Sequence, residues 1–187
     1  MSPHLELGHA LNNRLIWLDL EMTGLDPEEE FILEIATIVT DDSLEIVAEG
    51  PNIAIHHPEE VLMRMEAWSK IQHRKSGLLD RVRTSPYDCR GAENKTLEFL
   101  SVHCEKRESP LCGNSVLKDR QFLLTHMPTL EGFFHYRNID VSTIKELVRR
   151  WYPDVPAYTK QKAHLALKDI HESIHELRYY RQKVFLP

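Results

Sequence analysis

The chain has 187 residues, of which 42% are hydrophobic and 28% charged, and its 29 acidic and 23 basic residues give a formal net charge of −6. This length fits one domain, and the composition excludes a disordered chain, a collagen-like fibre and a disulfide scaffold. The charge excludes a general polyanion binder, because basic side chains supply most non-specific affinity for nucleic acid. An acidic protein can still act on nucleic acid where its site is small, local and assisted by metal ions.

Residues 1–13 contain no basic-then-apolar signal pattern and no Arg-rich presequence. We therefore expect a flexible N-terminal extension over 1–13, followed by one domain over 14–184. No apolar run approaches the ~20 residues that cross a bilayer. The cysteines Cys89, Cys104 and Cys112 match no zinc-binding spacing, so reduced thiols are expected. These features predict a cytoplasmic protein with no membrane partner.

Three strands are predicted in the first third of the chain. Residues 15–20 form a short apolar run, and the loop that follows is marked by Gly24 and Pro27. The β-branched segment 31–40 predicts a second strand, and 46–55 predicts a third. Short turns between these strands favour an antiparallel meander.

Helices dominate the pattern beyond residue 58. In chain order we predict helix 59–76, helix 85–103, a short strand and a turn over 110–114, helix 116–126, strand 139–141, helix 143–151 and helix 162–184. Ser115 and Ser142 are placed as the N-caps of the helices that follow them. Strands first, then strands alternating with helices, favour an α/β fold with a mixed sheet flanked by helices.

Asp19 and Glu21 lie two residues apart at the end of the first strand, so their side chains share one face. Two ionised carboxylates at the end of an apolar strand are costly unless a cation lies between them. A divalent metal ion is the simplest compensation. The alternative is that the pair lies beyond the sheet, in water.

Further acidic residues favour the metal interpretation. Asp119 falls in the first or second turn of the helix after Ser115, and Asp169 lies on the last helix. His164 precedes Asp169 by five residues, about 140° on a continuous helix, so both reach one site only if His164 lies in the loop or first turn. Four carboxylates and a histidine suit a site for two Mg²⁺ or Mn²⁺ ions that hydrolyses phosphodiesters, with the histidine as general base.

Longer blocks surround these residues: WLDLEMTGLDPEEEFILEIATIVTD, CGNSVLKDRQFL, YRNIDVSTIKEL and AHLALKDIHESIHELRYYR. In order and spacing they closely resemble the oligoribonuclease family, in the DEDDh branch of exonucleases. The resemblance covers residues 14 to 184. It implies a ribonuclease H-like fold, in which an antiparallel meander is followed by parallel strands.

The resemblance implies a role for each matching residue. Asp19, Glu21, Asp119 and Asp169 are implied to hold two divalent metal ions, Mg²⁺ or Mn²⁺, and His164 to deprotonate the attacking water. Leu25 is implied to wedge against the substrate bases and Trp68 to stack on them. The residues implied to hold the terminal phosphate are His73, Ser115, Arg137, Ser142 and Thr143. The family forms homodimers, in which Tyr136 and Arg137 are implied to reach the partner subunit's site.

Physical reasoning alone leaves some of these positions open. Helical spacing favours Trp68 as a core residue, and Ser115 and Ser142 suit ordinary helix capping. Arg137 can bind phosphate bidentately. The family has two aspartates before the isoleucine of the last block, whereas this chain has Lys168 and Asp169. We expect Lys168 to bear on metal affinity or on the pH optimum.

The predicted function is a 3′-to-5′ exoribonuclease that degrades short single-stranded RNA, especially dinucleotides, to 5′-mononucleotides. A capped 5′ end would set substrate length, and a very short substrate needs no long basic track, which fits the acidic charge. Long duplex nucleic acid is not expected as a partner. One alternative is a DEDDh exonuclease that trims longer DNA or RNA. Another is a nucleotide-binding module without catalysis.

Overall fold

A computed structural model describes residues 13–160 and 165–185 of the protein. The strands are β1 (Arg14–Met22), β2 (Ile32–Asp41), β3 (Ile46–Ala54), β4 (Pro110–Gly113) and β5 (His135–Asp140). The helices are α1 (Glu59–Arg64), α2 (Ala67–Lys75), α3 (Leu78–Thr84), α4 (Cys89–His103), α5 (Leu117–His126), α6 (Pro128–Glu131), α7 (Val141–Trp151) and α8 (Ala166–Val184). The expectations for residues 1–12 and for the helix start at 162–164 lie outside the described residues.

The strands form one sheet in the order β3-β2-β1-β4-β5. β2 pairs antiparallel with both β1 and β3, whereas β4 pairs parallel with β1, and β5 pairs parallel with β4. The predicted mixed sheet, a meander followed by parallel strands, is therefore confirmed. Gly113 ends β4 where an added Cβ would lie 3.0 Å from the Leu18 carbonyl, so this close approach to β1 favours glycine.

Each face of the sheet is covered by an apolar core. Ile16, Leu18 and Leu20 of β1 point into one core with α4 and α5, because successive side chains of a strand alternate between faces. Trp17 points into the other, which α7 and α8 complete. Among the described helices, none has the length and apolar character needed to cross a bilayer.

The predicted helix 59–76 is wrong as a single element. Met65 and Glu66 adopt extended backbone angles and separate α1 from α2. Met65 is buried in a small core with Leu62 and Leu78. Burial of this side chain stabilises the chain more than continuation of the helix would. The following helix, α3, was not predicted. It begins after Gly77, whose φ of 75° suits glycine.

Both predicted serine caps are also wrong. Ser115 has a left-handed backbone (φ 57°), and α5 begins two residues later with Val116 as its N-cap. Asp140, not Ser142, caps α7, since the Asp140 carboxylate accepts the N–H of Ser142 at 2.9 Å. Strand β5 extends to Asp140, so the acidic cap lies where the strand passes into the helix.

An ion pair and a backbone hydrogen bond of one buried carboxylate join β2 to the helices beside it. Glu34 of β2 is completely buried, and its Oε1 lies 2.6 Å from Nη1 of Arg81 on α3. Its Oε2 accepts the N–H of Ala166, the first residue of α8, at 3.3 Å. Glu34 thus holds two helices against the central part of the sheet.

Removal of this carboxylate should destabilise the protein. We expect Glu34→Leu to lower the free energy of unfolding by about 2–3 kcal/mol, because Arg81 loses its partner and the Ala166 N–H its acceptor. Glu34→Gln, which keeps an acceptor, should lie between this variant and the unmodified protein. Urea denaturation measures both, with Glu59→Gln, an exposed partner of Arg83, as the control. A Glu34→Leu protein as stable as the control would contradict the tethering role.

Candidate active site

Two carboxylates project from the end of the central strand. Asp19 and Glu21 follow Trp17 at alternate positions of β1, so all three share the face that α8 covers. Both carboxylates are partly exposed, whereas Trp17 is fully buried. The pairing of β1 with β2 changes register after Glu21, so the regular sheet ends here.

Asp169 completes a cluster of three carboxylates. It lies in the first turn of α8, and one oxygen from each of Asp19, Glu21 and Asp169 lies within 4.8 Å of the others. In the described part of the chain, this is the one group of three such side chains that could share an ion. We call it the acidic cluster.

Asp119 lies beside the acidic cluster, on the first turn of α5. It is 6% exposed, and its Oδ1 accepts the N–H of Leu20 at 3.1 Å. This bond holds the carboxylate against β1 between the positions of Asp19 and Glu21. Asp119 therefore lies next to the acidic cluster, but its carboxylate is not one of the three whose oxygens lie within 4.8 Å of one another.

The pKa values of these groups show how costly their ionisation is. Burial raises the pKa of Asp19 well above its usual value, and Asp119, Glu21 and Asp169 raise it further. Burial, reinforced by Asp169, raises the pKa of Glu21 to about 8. Burial also raises the pKa of Asp119 to about 7, although the Leu20 N–H opposes this shift. A cation would relieve both the burial and the repulsion.

The donor set fits a hard divalent cation. Asp19, Glu21 and Asp169 offer only carboxylate oxygens, which Mg²⁺ and Mn²⁺ prefer and which suit zinc less well. Asp119 offers a further carboxylate next to Asp19. The residues present therefore fit a divalent metal site at the end of β1.

Two buried side chains border Glu21. His73 of α2 lies with Nδ1 3.7 Å from Glu21 Oε2, and its Nε2 donates to the Met22 carbonyl at 2.9 Å. Glu34 pairs with Glu21 across β1 and β2, so both carboxylates share a face, and Arg81 compensates Glu34. Sequence reasoning missed Glu34 and Arg81. The signal that could have indicated a buried ion-pair partner is a glutamate within an otherwise apolar strand.

Leu25 and Trp68 are both exposed near the end of β1. Leu25 is 62% exposed in the loop after β1, and Trp68 is 61% exposed at the start of α2. The core position that spacing favoured for Trp68 is therefore wrong. An exposed leucine and tryptophan can each contact a substrate base.

The loop that carries Leu25 is closed by hydrogen bonds at its base. Thr23 donates its N–H to the Phe31 carbonyl at 3.0 Å, and its hydroxyl accepts the Phe31 N–H at 2.8 Å. The same hydroxyl donates to the Glu30 carboxylate. Glu30 therefore helps to close this loop.

Ser115 follows the end of β4, and Ser142 follows the end of β5. The two residues lie together, and we call them the serine pair. Their hydroxyl oxygens are 3.1 Å apart, and the Ser115 N–H donates to Ser142 Oγ at 2.8 Å and to Asp140 Oδ1 at 3.0 Å. Thr143 is the next residue on α7. Three of the residues implied to bind phosphate are thus neighbours. His73 lies beside Glu21, and its assignment to phosphate stays a prediction.

Tyr136 and Arg137 lie on the exposed edge strand β5. Tyr136 is 72% exposed, and the Arg137 guanidinium lies 5.3 Å from its ring centre. Their implied role at a partner subunit's site stays a prediction. His164, the implied general base, lies outside the described residues.

Known proteins resemble this chain in sequence and in fold. The exonuclease family model matches residues 16–177. An oligoribonuclease of Dichelobacter nodosus is 57% identical over 174 residues, covering 93% of this chain and 96% of that protein. An oligoribonuclease of Shewanella loihica is 60% identical over 177 residues, covering 94% and 98%.

Solved structures with this fold include exonuclease I. That of Methylocaldum szegediense superposes with a TM-score of 0.70 at 16% identity, over 91% of this chain and 41% of that chain. A zinc-bound complex of Escherichia coli exonuclease I with single-stranded DNA gives 0.73 at 10% identity, over 92% and 41%. This chain spans about two fifths of those proteins. At such low identity the likeness concerns the fold.

Proposed function

Because this chain belongs to the oligoribonuclease family of exonucleases, it is a 3′-to-5′ exoribonuclease of short oligoribonucleotides, and we propose that dinucleotides are its preferred substrates. The products would be 5′-mononucleotides. The observation that carries the proposal is the acidic cluster at the end of β1, with Asp119 beside it. Such a cluster suits hydrolysis of a phosphodiester.

The family and the acidic cluster indicate a divalent metal site, and we infer two ions, Mg²⁺ or Mn²⁺. Asp19, Glu21, Asp119 and Asp169 would hold them. When bound, such ions lower the pKa of water and stabilise the leaving oxygen of an in-line displacement. Asp119 keeps its carboxylate aimed at the site through the Leu20 N–H.

His164 is proposed as the general base. The resemblance of its sequence block supports this role, and an unperturbed histidine pKa of ~6.5 suits proton acceptance near neutral pH. The imidazole would take the proton of the attacking water. The water oxygen would bond to phosphorus as the bond from phosphorus to the preceding nucleotide's 3′-oxygen breaks. The 3′-terminal nucleotide would leave with its 5′-phosphate, and the 3′-oxygen of the remaining chain would take a proton from solvent to become a hydroxyl.

Substrate length is proposed to follow from two contacts. The exposed side chains of Leu25 and Trp68 would hold the bases. The serine pair, with Thr143 at the N-terminal end of α7, would hold the 5′-terminal phosphate through hydroxyl groups. A phosphate held there leaves little room for further nucleotides.

A homodimer is part of the proposal. Tyr136 and Arg137 protrude from an edge strand, which supports a contact between the two residues and the site of a partner subunit. We also propose that the protein acts in the cytoplasm.

Loss of the stacking platform should weaken substrate binding. Trp68→Ala is expected to raise KM for a diribonucleotide by roughly 5- to 100-fold, because stacking contributes about 1–3 kcal/mol per base. The fold should persist, since Trp68 is largely exposed. Steady-state kinetics measure the effect, with Trp151→Ala, an equally exposed tryptophan on α7, as the control. Equal KM values for the two variants would remove Trp68 from the substrate site.

A length series tests the proposed function. Unlabelled RNAs of two, three, five and seven nucleotides, and a DNA dinucleotide, are each incubated with Mg²⁺ or Mn²⁺, and products are separated by chromatography. We expect the highest kcat/KM for the RNA dinucleotide. Faster cleavage of longer strands or of DNA would instead indicate an exonuclease that trims long substrates. Binding without cleavage would indicate a nucleotide-binding module.

A further inference from the structure

Hydrogen bonds connect the serine pair to the helix that carries Asp169. The Ser142 hydroxyl donates to Asn114 Oδ1 at 3.1 Å. Asn114 Nδ2 donates to Ser173 Oγ at 2.7 Å and to Glu176 Oε2 at 3.2 Å, both on α8. Ser173 in turn donates to the Asp169 carbonyl at 2.7 Å. The connection therefore ends at the backbone of a residue in the acidic cluster.

The direction of these bonds fixes the orientation of Asn114. The Ser173 hydroxyl has one proton, which the Asp169 carbonyl accepts, so Ser173 must accept from the Asn114 amide nitrogen. The Glu176 carboxylate also accepts from this nitrogen. The amide oxygen then faces Ser142, whose own proton it accepts. Ser173 and Glu176 each require this orientation, and the Ser142 hydroxyl is compatible with it.

Glu176 is fixed by charge as well as by burial. Its side chain is completely buried, yet Lys160 Nζ lies 2.8 Å from Oε2 and Lys145 Nζ lies 3.5 Å from Oε1. Two ammonium groups offset the cost of a buried carboxylate. The acceptor for Asn114 is therefore held in one place by lysines from α7 and from the segment after it.

The two ends of this hydrogen-bonded connection, helix α8 and the serine pair, differ in how strongly their positions are stabilised. Helix α8 is anchored by the buried side chains of Ile170, Ile174 and Tyr180. Ser115 lies in a left-handed conformation, which costs free energy for a residue with a Cβ and persists only where neighbours enforce it. Loss of the connection should therefore displace the serine pair, while α8 keeps its position.

We propose that Asn114 and Glu176 are positioning residues that hold the serine pair at a set distance from the acidic cluster. They thereby select short substrates that carry a 5′-phosphate. This inference rests on the proposed function, in which the serine pair holds the terminal phosphate. Neither residue needs to touch the substrate.

The test compares two dinucleotides that differ only in the 5′-phosphate. For Asn114→Ala we expect kcat/KM on the 5′-phosphorylated dinucleotide to fall by about tenfold or more, as for loss of hydrogen bonds to a charged group. On the 5′-hydroxyl dinucleotide, kcat/KM should change less than about twofold. Ser173→Ala removes one hydroxyl. It should also lower the ratio of kcat/KM on the 5′-phosphorylated dinucleotide to kcat/KM on the 5′-hydroxyl dinucleotide. Mn²⁺ affinity should stay unchanged in both variants.

Glu93→Gln serves as the matched control. Glu93 is also buried and polar, and it accepts the N–H groups of Thr129 and Leu130 on the other side of the sheet. Parallel losses on both dinucleotides, or an unchanged ratio in both variants, would overturn the positioning role. If the unmodified protein does not prefer the 5′-phosphorylated dinucleotide, the proposed terminal-phosphate site fails instead. The two failures are therefore distinguishable.

Discussion

Replacement of Asp119 by asparagine is expected to lower kcat on a diribonucleotide by on the order of 10³-fold, while the fold stays intact. Asparagine has nearly the same shape, and its amide oxygen can still accept the Leu20 N–H that now reaches Oδ1 at 3.1 Å. Only the negative charge is lost. The change therefore separates the proposed role of the carboxylate in holding metal from its role in packing α5 against β1.

Two measurements accompany the kinetics of this variant. Circular dichroism should show an unchanged fold, and Mn²⁺ titration should show weakened binding. Glu93→Gln is again the matched control, since it neutralises a buried carboxylate that is bonded to backbone N–H groups away from the acidic cluster. Its kcat should match that of the unmodified protein. Full turnover by the Asp119→Asn protein would remove Asp119 from the metal site.

The stability of the protein treated with a chelator should fall as pH rises from about 4 to about 8. The pKa of Glu21 is about 8 in the folded protein, and that of Asp119 is about 7, whereas unfolded carboxyl groups titrate near ~4. The folded state therefore holds protons that the unfolded state has released. Stabilisation by these protons is complete below pH ~4 and is lost as the pH rises through 7 and 8. We expect a fall in Tm on the order of 5 °C between pH 6 and pH 8.

Divalent metal should reverse this trend. Mn²⁺ at a 100-fold excess over its Kd should stabilise the folded state by about 2.7 kcal/mol. The rise in Tm should be larger at pH 8 than at pH 6, because protons compete with the metal for the same oxygens. Differential scanning fluorimetry at both pH values, with and without chelator, measures each effect.

Glu21→Gln tests the origin of the pH dependence. The chelator-treated variant should show a flatter dependence of Tm on pH, because one of the groups with a raised pKa is gone. It should also gain less from Mn²⁺. A chelator-treated protein whose Tm is the same at pH 6 and pH 8 would contradict the raised pKa values.

The sequence predicted those features that depend on local periodicity. Alternation along β1 was sufficient to place Asp19 and Glu21 on one face, and the position of Asp119 in the first turn of a helix followed from the preceding strand and turn. The same reasoning predicted the antiparallel meander and the mixed sheet. In each case neighbours in sequence determine the result.

Features that depend on distant residues were missed. The exposure of Trp68 was missed because the helix ends at the buried Met65 and a new one begins at Ala67, so spacing counted from Val61 does not predict which face carries Trp68. Asp140 caps α7 in place of Ser142 because β5 runs directly into α7. Arg81, the partner of Glu34, lies far along the chain on a helix that was not predicted. Local pattern contains no information on such pairs.

The division of the acidic cluster between β1 and α8 has a consequence for biosynthesis. Asp19 and Glu21 belong to the first described strand, whereas Asp169 belongs to the last described helix, so a growing chain can assemble the acidic cluster only when α8 has emerged from the ribosome. The same helix covers Trp17 and Ile38 of the sheet. Chains that stop before α8 thus expose apolar surface and lack a complete nuclease centre. Quality-control proteases that recognise such surface would remove the chains that cannot cleave RNA.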